Sequence, residues 1–322
     1  GIVIDGLEVG TKLNLENINK FIDRRRAGKS SFTTSRKEKD EFRILSGYKD
    51  GHTTGSPLCV IFENTNTQSK DYENLKVLLR PNHADYPAGI KYKGFNDIRG
   101  GGHFSGRITL ALTFAGAIAM DILEEKGIKI FSHIKKILDI KDKSFLEFKE
   151  VDVDKFKNLK ESSLAFIEDD LEIKAKELLE KIKLSGNSVG GEIECACYNL
   201  PVGLGSPFFD SLESKISHLA FSVPAVKGIQ FGIGFDFSNI LGSEANDLYY
   251  LDNNQIKTRT NNNGGILGGL STGMPLVFSV VIKPTPSISI EQETVNIKEM
   301  KNDILKISGR HDACIVPRVM PV

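Results

Sequence analysis

Thr53-Thr54-Gly55-Ser56-Pro57-Leu58 and Ser271-Thr272-Gly273-Met274-Pro275-Leu276 are one short phrase written twice, each time leading into an apolar run. Glycine followed two residues later by proline marks a turn, and the β-branched and aromatic residues beyond it suit a strand. Later in each half, Ser105-Gly106-Arg107 is answered by Ser308-Gly309-Arg310 in the same order. The paired order predicts an internal duplication of a strand–crossover–loop–helix unit, approximately residues 41–127 and 260–322, within one domain covering 1–322.

Outward from these phrases the pattern is that of a mixed α+β chain. Residues 14–26 carry Leu15, Ile18, Phe21 and Ile22 at helical spacing, with Gly28 where a helix stop belongs. Strands are expected at 41–47, 58–62, 192–198, 226–232 and 276–282. Residues 107–126 form a mostly apolar helix that needs cover on both faces, and 170–184 an amphipathic one. Ser206-Pro207 reads as an N-cap followed by proline, opening a helix to about Leu219. The charged, weakly periodic stretch 141–160 is expected to be a surface excursion.

The chain has 322 residues, 40% hydrophobic and 26% charged, which excludes wholesale disorder and a coiled-coil rod. Lys and Arg number 42, as do Asp and Glu, so no global field draws nucleic acid or an anionic membrane, and neither partner is expected. The longest apolar stretch, 108–120, is too short for a bilayer span. Cys59, Cys195, Cys197 and Cys314 make neither a disulfide framework nor a metal-binding CxxC pair; reduced thiols of a cytoplasmic protein, and no metal, are the expectation.

Several constellations could carry chemistry. Arg24-Arg25-Arg26, with Lys29, Arg36, Lys37 and Lys39 and interleaved hydroxyls, suits a multiply anionic small molecule, although charge alone equally describes a solvated loop. Gly100-Gly101-Gly102-His103-Phe104-Ser105-Gly106-Arg107 places glycines, Ser105 and Arg107 before a helix, an anion-binding position without nucleoside-triphosphate loop spacing. The same glycines could simply allow close packing. In Arg310-His311-Asp312 an arginine would keep the carboxylate ionised and able to act as a base, or the two make an ordinary ion pair. His83 lies between Pro81 and Asp85, where an imidazole titrates near neutrality or simply hydrogen-bonds. In Asn261-Asn262-Asn263-Gly264-Gly265 the glycines would form a flexible turn or let backbone approach a flat ligand.

Taken together, these stretches carry a resemblance: Asp23-Arg24-Arg25-Arg26-x-Gly28, Thr54-Gly55-x-Pro57, Ser69-Lys70-Asp71-Tyr72, Arg80-Pro81-x-His83-Ala84-Asp85-Tyr86, Arg99-Gly100-Gly101-Gly102, Gly242-Ser243-x-x-Asn246-Asp247, Lys283-Pro284-Thr285 and Arg310-His311-Asp312-x-Cys314-x-x-Pro317-Arg318. Over essentially its whole length the chain resembles the chorismate synthase family. The resemblance implies an α+β fold, a β-α-β sandwich with central helices between antiparallel sheets, in two internally related halves. It implies a homotetramer and anti-1,4-elimination of phosphate from 5-enolpyruvylshikimate 3-phosphate, giving chorismate, with reduced FMN and no net redox change. It places His83 and Asp312 in catalysis, and Ser105, Asn246, Gly264, Gly265, Lys283, Ser287 and Arg310 at the flavin. Arg25, Arg36, Arg107 and Arg310 fall to the substrate. NADPH enters only if the chain also reduces flavin, an alternative activity that lacks a Rossmann fingerprint here; an inactive flavin-binding fragment is the other alternative. The family's Gly-Glu-Ser-His-Gly motif is expected upstream of Gly1 and its last helix beyond Pro321, so a chain of these residues alone is expected to turn over little. His103-Phe104 stands where Arg-Ser or Arg-Ala is common.

Overall fold

A computed structural model describes residues 1–26, 28, 40–63, 77–97, 99–162, 164–307 and 312–322. The fold is α+β, with helices and several antiparallel sheets. The chain contributes to two compact units, Gly1–Ala117 with Lys176–Val189 and Pro284–Val322, and Ile118–Ala175 with Gly190–Lys283.

In the first unit, Leu58–Phe62 is the middle strand of a three-stranded sheet, between Ile2–Ile4 and Phe42–Ser46, antiparallel to both. Alternation buries Leu58 and Val60 on one face. Phe114, from the helix Thr109–Glu125, meets Phe42 and Phe62 edge-on at centroid distances of 5.0 and 6.0 Å. The hairpin Gln292–Asn296 with Lys301–Leu305 also belongs to this unit.

The second unit is built on a five-stranded antiparallel sheet in the order Ile140–Lys141, Lys129–Ile137, Gly191–Tyr198, Leu276–Ile282, Val226–Phe231. Contrary to expectation, the stretch 141–160 is no surface excursion. Phe145, Phe156 and Leu159 are 0%, 1% and 1% exposed, and the rings of Phe145 and Phe156 pack with Phe131 and Tyr198. Short helical turns at Phe145–Glu147 and Val153–Phe156 present a few large rings to the sheet; at about 1.5–3 kcal/mol per buried ring, such sparse contacts suffice to hold a segment too polar to show periodicity.

The repeated phrase forms the same local structure twice. Thr53 Oγ1 donates to Glu8 O at 2.5 Å and accepts from Thr11 N at 3.0 Å; Ser271 Oγ donates to Pro201 O at 2.5 Å and accepts from Leu204 N at 2.9 Å. Each hydroxyl is buried, and each thus staples a Val-Gly turn, 8–11 or 201–204, to the start of a strand. Gly55 and Gly273 both stand in the left-handed region, at φ 82° and 86°, which fixes glycine at that place in each copy.

Two other expectations change. The helix cap lies at Ser211, not Ser206: Phe208 takes a positive φ of 60° and a short turn intervenes, so the helix runs Leu212–Ser222 with Ser211 Oγ accepting from Ser214 N at 3.0 Å. The apolar helix has Thr113, Phe114 and Ala117 buried, but Ile108 and Leu112 stay 49% and 38% exposed. Gly106–Glu125 is long and apolar enough, by length and composition, to cross a bilayer. It extends beyond 108–120 by Gly106 and Arg107 at its start and Asp121–Glu125 at its end, and its buried face is that of a core helix.

Candidate active site

The segment that carries Asp312 is anchored by apolar burial. Cys314 and Val316 are 0% exposed, Ala313 O accepts from Val189 N at 2.8 Å, and Pro317 opens the short helix Val316–Val319. From that helix Arg318 reaches back: its Nη1 lies 2.7 Å from Asp312 Oδ2 and its Nε donates to Arg25 O at 3.2 Å. Asp312 and Arg25 are 8% and 4% exposed.

Arg25 ends the helix Leu15–Arg25. Its Nε donates to Thr109 Oγ1 at 3.1 Å and its Nη2 to Gly106 O at 2.5 Å. Ser105 caps the turn Gly106–Ile108, its Oγ accepting from Arg107 N at 3.2 Å. The structure therefore brings Arg25, Ser105, Arg107 and Asp312 into one connected network of the first unit. Within it Arg25 braces the turn that carries Arg107. Arg36 and Arg310 lie outside the described residues.

His83 sits in a separate cluster of the same unit. Arg80 grips Asp85 in a fork, Nε to Oδ2 at 2.8 Å and Nη2 to Oδ1 at 2.7 Å. His83 Nδ1 lies 2.7 Å from Asp85 Oδ1 and 3.1 Å from Arg80 Nη2, and this pair of contacts fixes the orientation of the ring. Burial, the largest influence on Asp85, acts upward, but the hydrogen bonds from Arg80 and His83 outweigh it and hold the carboxyl well below the usual range. Ser287, also in this unit, is half-buried.

The remaining expected residues lie in the second unit. Asn246 is exposed at the end of the helix Gly242–Ala245. Its neighbour Asp247 organises the asparagine loop, accepting from Thr260 Oγ1 at 2.7 Å, Asn262 N at 2.7 Å and Asn263 N at 3.0 Å. Burial pushes that carboxyl up, and these donors bring it net below its ordinary value. Gly264 and Gly265 meet the protein's own backbone: a Cβ would fall 2.3 Å from Gly232 N and 2.4 Å from Pro275 O. Packing alone requires glycine at both. Burial, then the charge of Lys227, lowers the pKa of the Lys283 ammonium.

Sequence reasoning missed a second network, in the core of the second unit. His133, Glu194 and Asp142 have side chains with no exposure; His133 Nδ1 is 2.9 Å from Asp142 Oδ2 and Nε2 is 3.2 Å from Glu194 Oε2. Glu194 also accepts from Lys135 Nζ at 2.6 Å, Ser144 Oγ at 2.7 Å and Phe145 N at 2.5 Å. Both ring nitrogens face carboxylates, so the ring is an imidazolium. Burial is the largest single influence and acts downward, yet the two carboxylates raise the pKa of His133. His133 and Glu194 are direct cross-strand partners, a relation visible only once the register is known.

The fold is α+β, and its first unit holds two guanidinium–carboxylate pairs shielded from solvent, Arg318–Asp312 and Arg80–Asp85. The chorismate synthase family profile matches residues 1–322. Chorismate synthase of Thermococcus kodakarensis is 43% identical over 323 residues, covering 100% of this chain and 88% of the relative. That of Methanococcus aeolicus is 44% identical over 331 residues, covering 100% and 88%. A solved structure titled "Crystal Structure of Chorismate Synthase" superimposes with a TM-score of 0.73 at 27% identity, covering 99% of this chain and 82% of that one. The chain belongs to the chorismate synthase family.

Proposed function

We propose that the chain eliminates phosphate from 5-enolpyruvylshikimate 3-phosphate to give chorismate. The end-to-end family match carries this reading, and no observation favours either an NADPH-driven flavin reductase or an inactive flavin-binding fragment. The family is generally flavin-dependent, and the finer assignment here is reduced FMN. The donors present fit that group. Lys283 beside Lys227 suits its phosphate, and Thr285 Oγ1 is buried with no hydrogen-bond partner among the described residues, an open position for a ligand atom. The resemblance also assigns Ser105 and Ser287 of the first unit, Asn246 of the second, and Arg310, which lies outside the described residues, to the flavin. Gly264 and Gly265 would contribute backbone only.

When bound, a reduced flavin supplies electron density that assists cleavage of the allylic C–O bond. The chain's own residues do the rest. Asp312, ion-paired with Arg318, takes part in removing the ring proton. Arg107 is assigned to the substrate's anionic groups, with Arg25 bracing the turn beneath it; the resemblance assigns Arg36 and Arg310, outside the described residues, to the same groups. His83 presents Nε2, its orientation set by Asp85.

The exposed rings Phe208, Phe209 and Phe235, at 88%, 93% and 78%, offer apolar surface for association; the homotetramer is what the resemblance implies. A cytoplasmic location suits the four free thiols. The test incubates purified full-length protein with the enolpyruvyl substrate and pre-reduced FMN under argon. Chorismate should form, and admitting air should stop it. A product with the phosphate retained would reject the reading.

A further inference from the structure

We infer that Arg318 is a positioning residue for this reaction, one that sets the proposed base against the proposed anion-binding turn. The inference rests on the functional reading above and adds a residue to it. One guanidinium joins two distant parts of the chain: Nη1 meets Asp312 Oδ2 at 2.7 Å, and Nε meets the backbone carbonyl of Arg25 at 3.2 Å. Arg25 in turn grips Gly106 O and Thr109 Oγ1, the turn that presents Arg107 and Ser105. The linkage therefore runs Asp312, Arg318, Arg25, Gly106, with each joint a charge-assisted bond and with Asp312 and Arg25 buried.

The geometry is specific to arginine. A carboxylate and a carbonyl are held by two different nitrogens of one planar fork, which a lysine's single ammonium cannot reproduce. The helix Val316–Val319 fixes where the fork begins, and its packing against Leu15–Arg25 fixes where it ends. A base held this way is pre-aimed; released, it can move by the ångström or so that costs about 100-fold in rate.

The test is a kinetic cycle on the purified protein: wild type, Arg318→Met, Arg318→Lys, Asp312→Asn and the double variant Asp312→Asn/Arg318→Met, with thermal midpoints recorded for each. Arg318→Met should lower kcat about 100-fold with KM within about 3-fold, and Arg318→Lys should recover about 10-fold of that loss. The double variant should be within about 3-fold of Asp312→Asn alone, because a residue acting through Asp312 has nothing left to aim. Losses that multiply, or that follow the thermal midpoint with no recovery by lysine, would overturn the inference and leave Arg318 a structural brace. A silent wild type would instead reject the functional reading. An active wild type with a normal Asp312→Asn would reject the base, and a normal Arg318→Met beside an impaired Asp312→Asn would reject Arg318 alone.

Discussion

Replacing Glu194 with Gln alters one atom in the core of the second unit and should cost about 3–5 kcal/mol, the range for breaking a buried ion pair. The magnitude follows from the donors around the carboxylate. Oε1 faces Lys135 Nζ and Ser144 Oγ, and Oε2 faces His133 Nε2 and Phe145 N. Whichever way the new amide turns, its NH2 group meets two donors. Ser144 can rotate its hydroxyl to accept, but neither the Lys135 ammonium nor the protonated His133 can. At about 2 °C per kcal/mol for a chain of this size, the thermal midpoint should fall by about 6–10 °C at pH 7. Asp170→Asn, which removes an exposed ion pair with Lys174 at 2.6 Å, is the control and should leave the midpoint unchanged. Differential scanning calorimetry reads both. A fall of less than about 2 °C for Glu194→Gln would refute the claim that this carboxylate is ionised and fully engaged.

The same network sets a pH dependence. His133 is raised in the folded state, so its contribution is fully present below its ordinary pKa of about 6.5 and is lost as pH climbs through the folded value. For Glu194 burial is the largest single influence and acts upward, but the interactions with His133 and Lys135 together bring it down to about 2, so it contributes above its ordinary value and loses that contribution as pH falls toward 2. Midpoints between pH 6 and 10 should therefore decline more steeply in wild type than in His133→Gln; parallel slopes would remove the imidazolium. Gly264→Ala should destabilise by about 1–3 kcal/mol in a denaturant melt, since its Cβ would sit 2.3 Å from Gly232 N and 2.5 Å from Val277 O; an unchanged melt would show that the loop relaxes freely. Asp312→Asn should lower kcat by about 100-fold or more while FMN affinity, followed by fluorescence quenching, stays within about 3-fold.

Much of the fold was legible where physics is local. Gly55 and Gly273 announced their turns because only glycine is comfortable at such φ values, and the strands that follow them stand where the apolar runs begin. The stretch around Phe145 and Phe156 was misread because three or four large rings can dock a charged segment without leaving any period. Ser211 was missed as a cap because the preceding Ser-Pro pair offers the stronger local signal, and the left-handed Phe208 that delays the helix leaves no mark in composition. For the site, Arg25 and Asp312 were recognisable as types but not as partners. Their connection runs through Arg318 across 293 residues, a separation that no spacing rule reaches. His133 and Glu194 likewise depend on strand register, which fixes their opposition only after Lys129–Ile137 and Gly191–Tyr198 have paired.

The most direct measurement is the stoichiometry of the reaction in an anaerobic cell, with inorganic phosphate, chorismate and the absorbance of reduced FMN followed together. One phosphate per chorismate, with the flavin spectrum the same before and after turnover, is the result expected of the full-length protein. Phosphate without chorismate, or flavin oxidised in step with product, would contradict the elimination assigned to it.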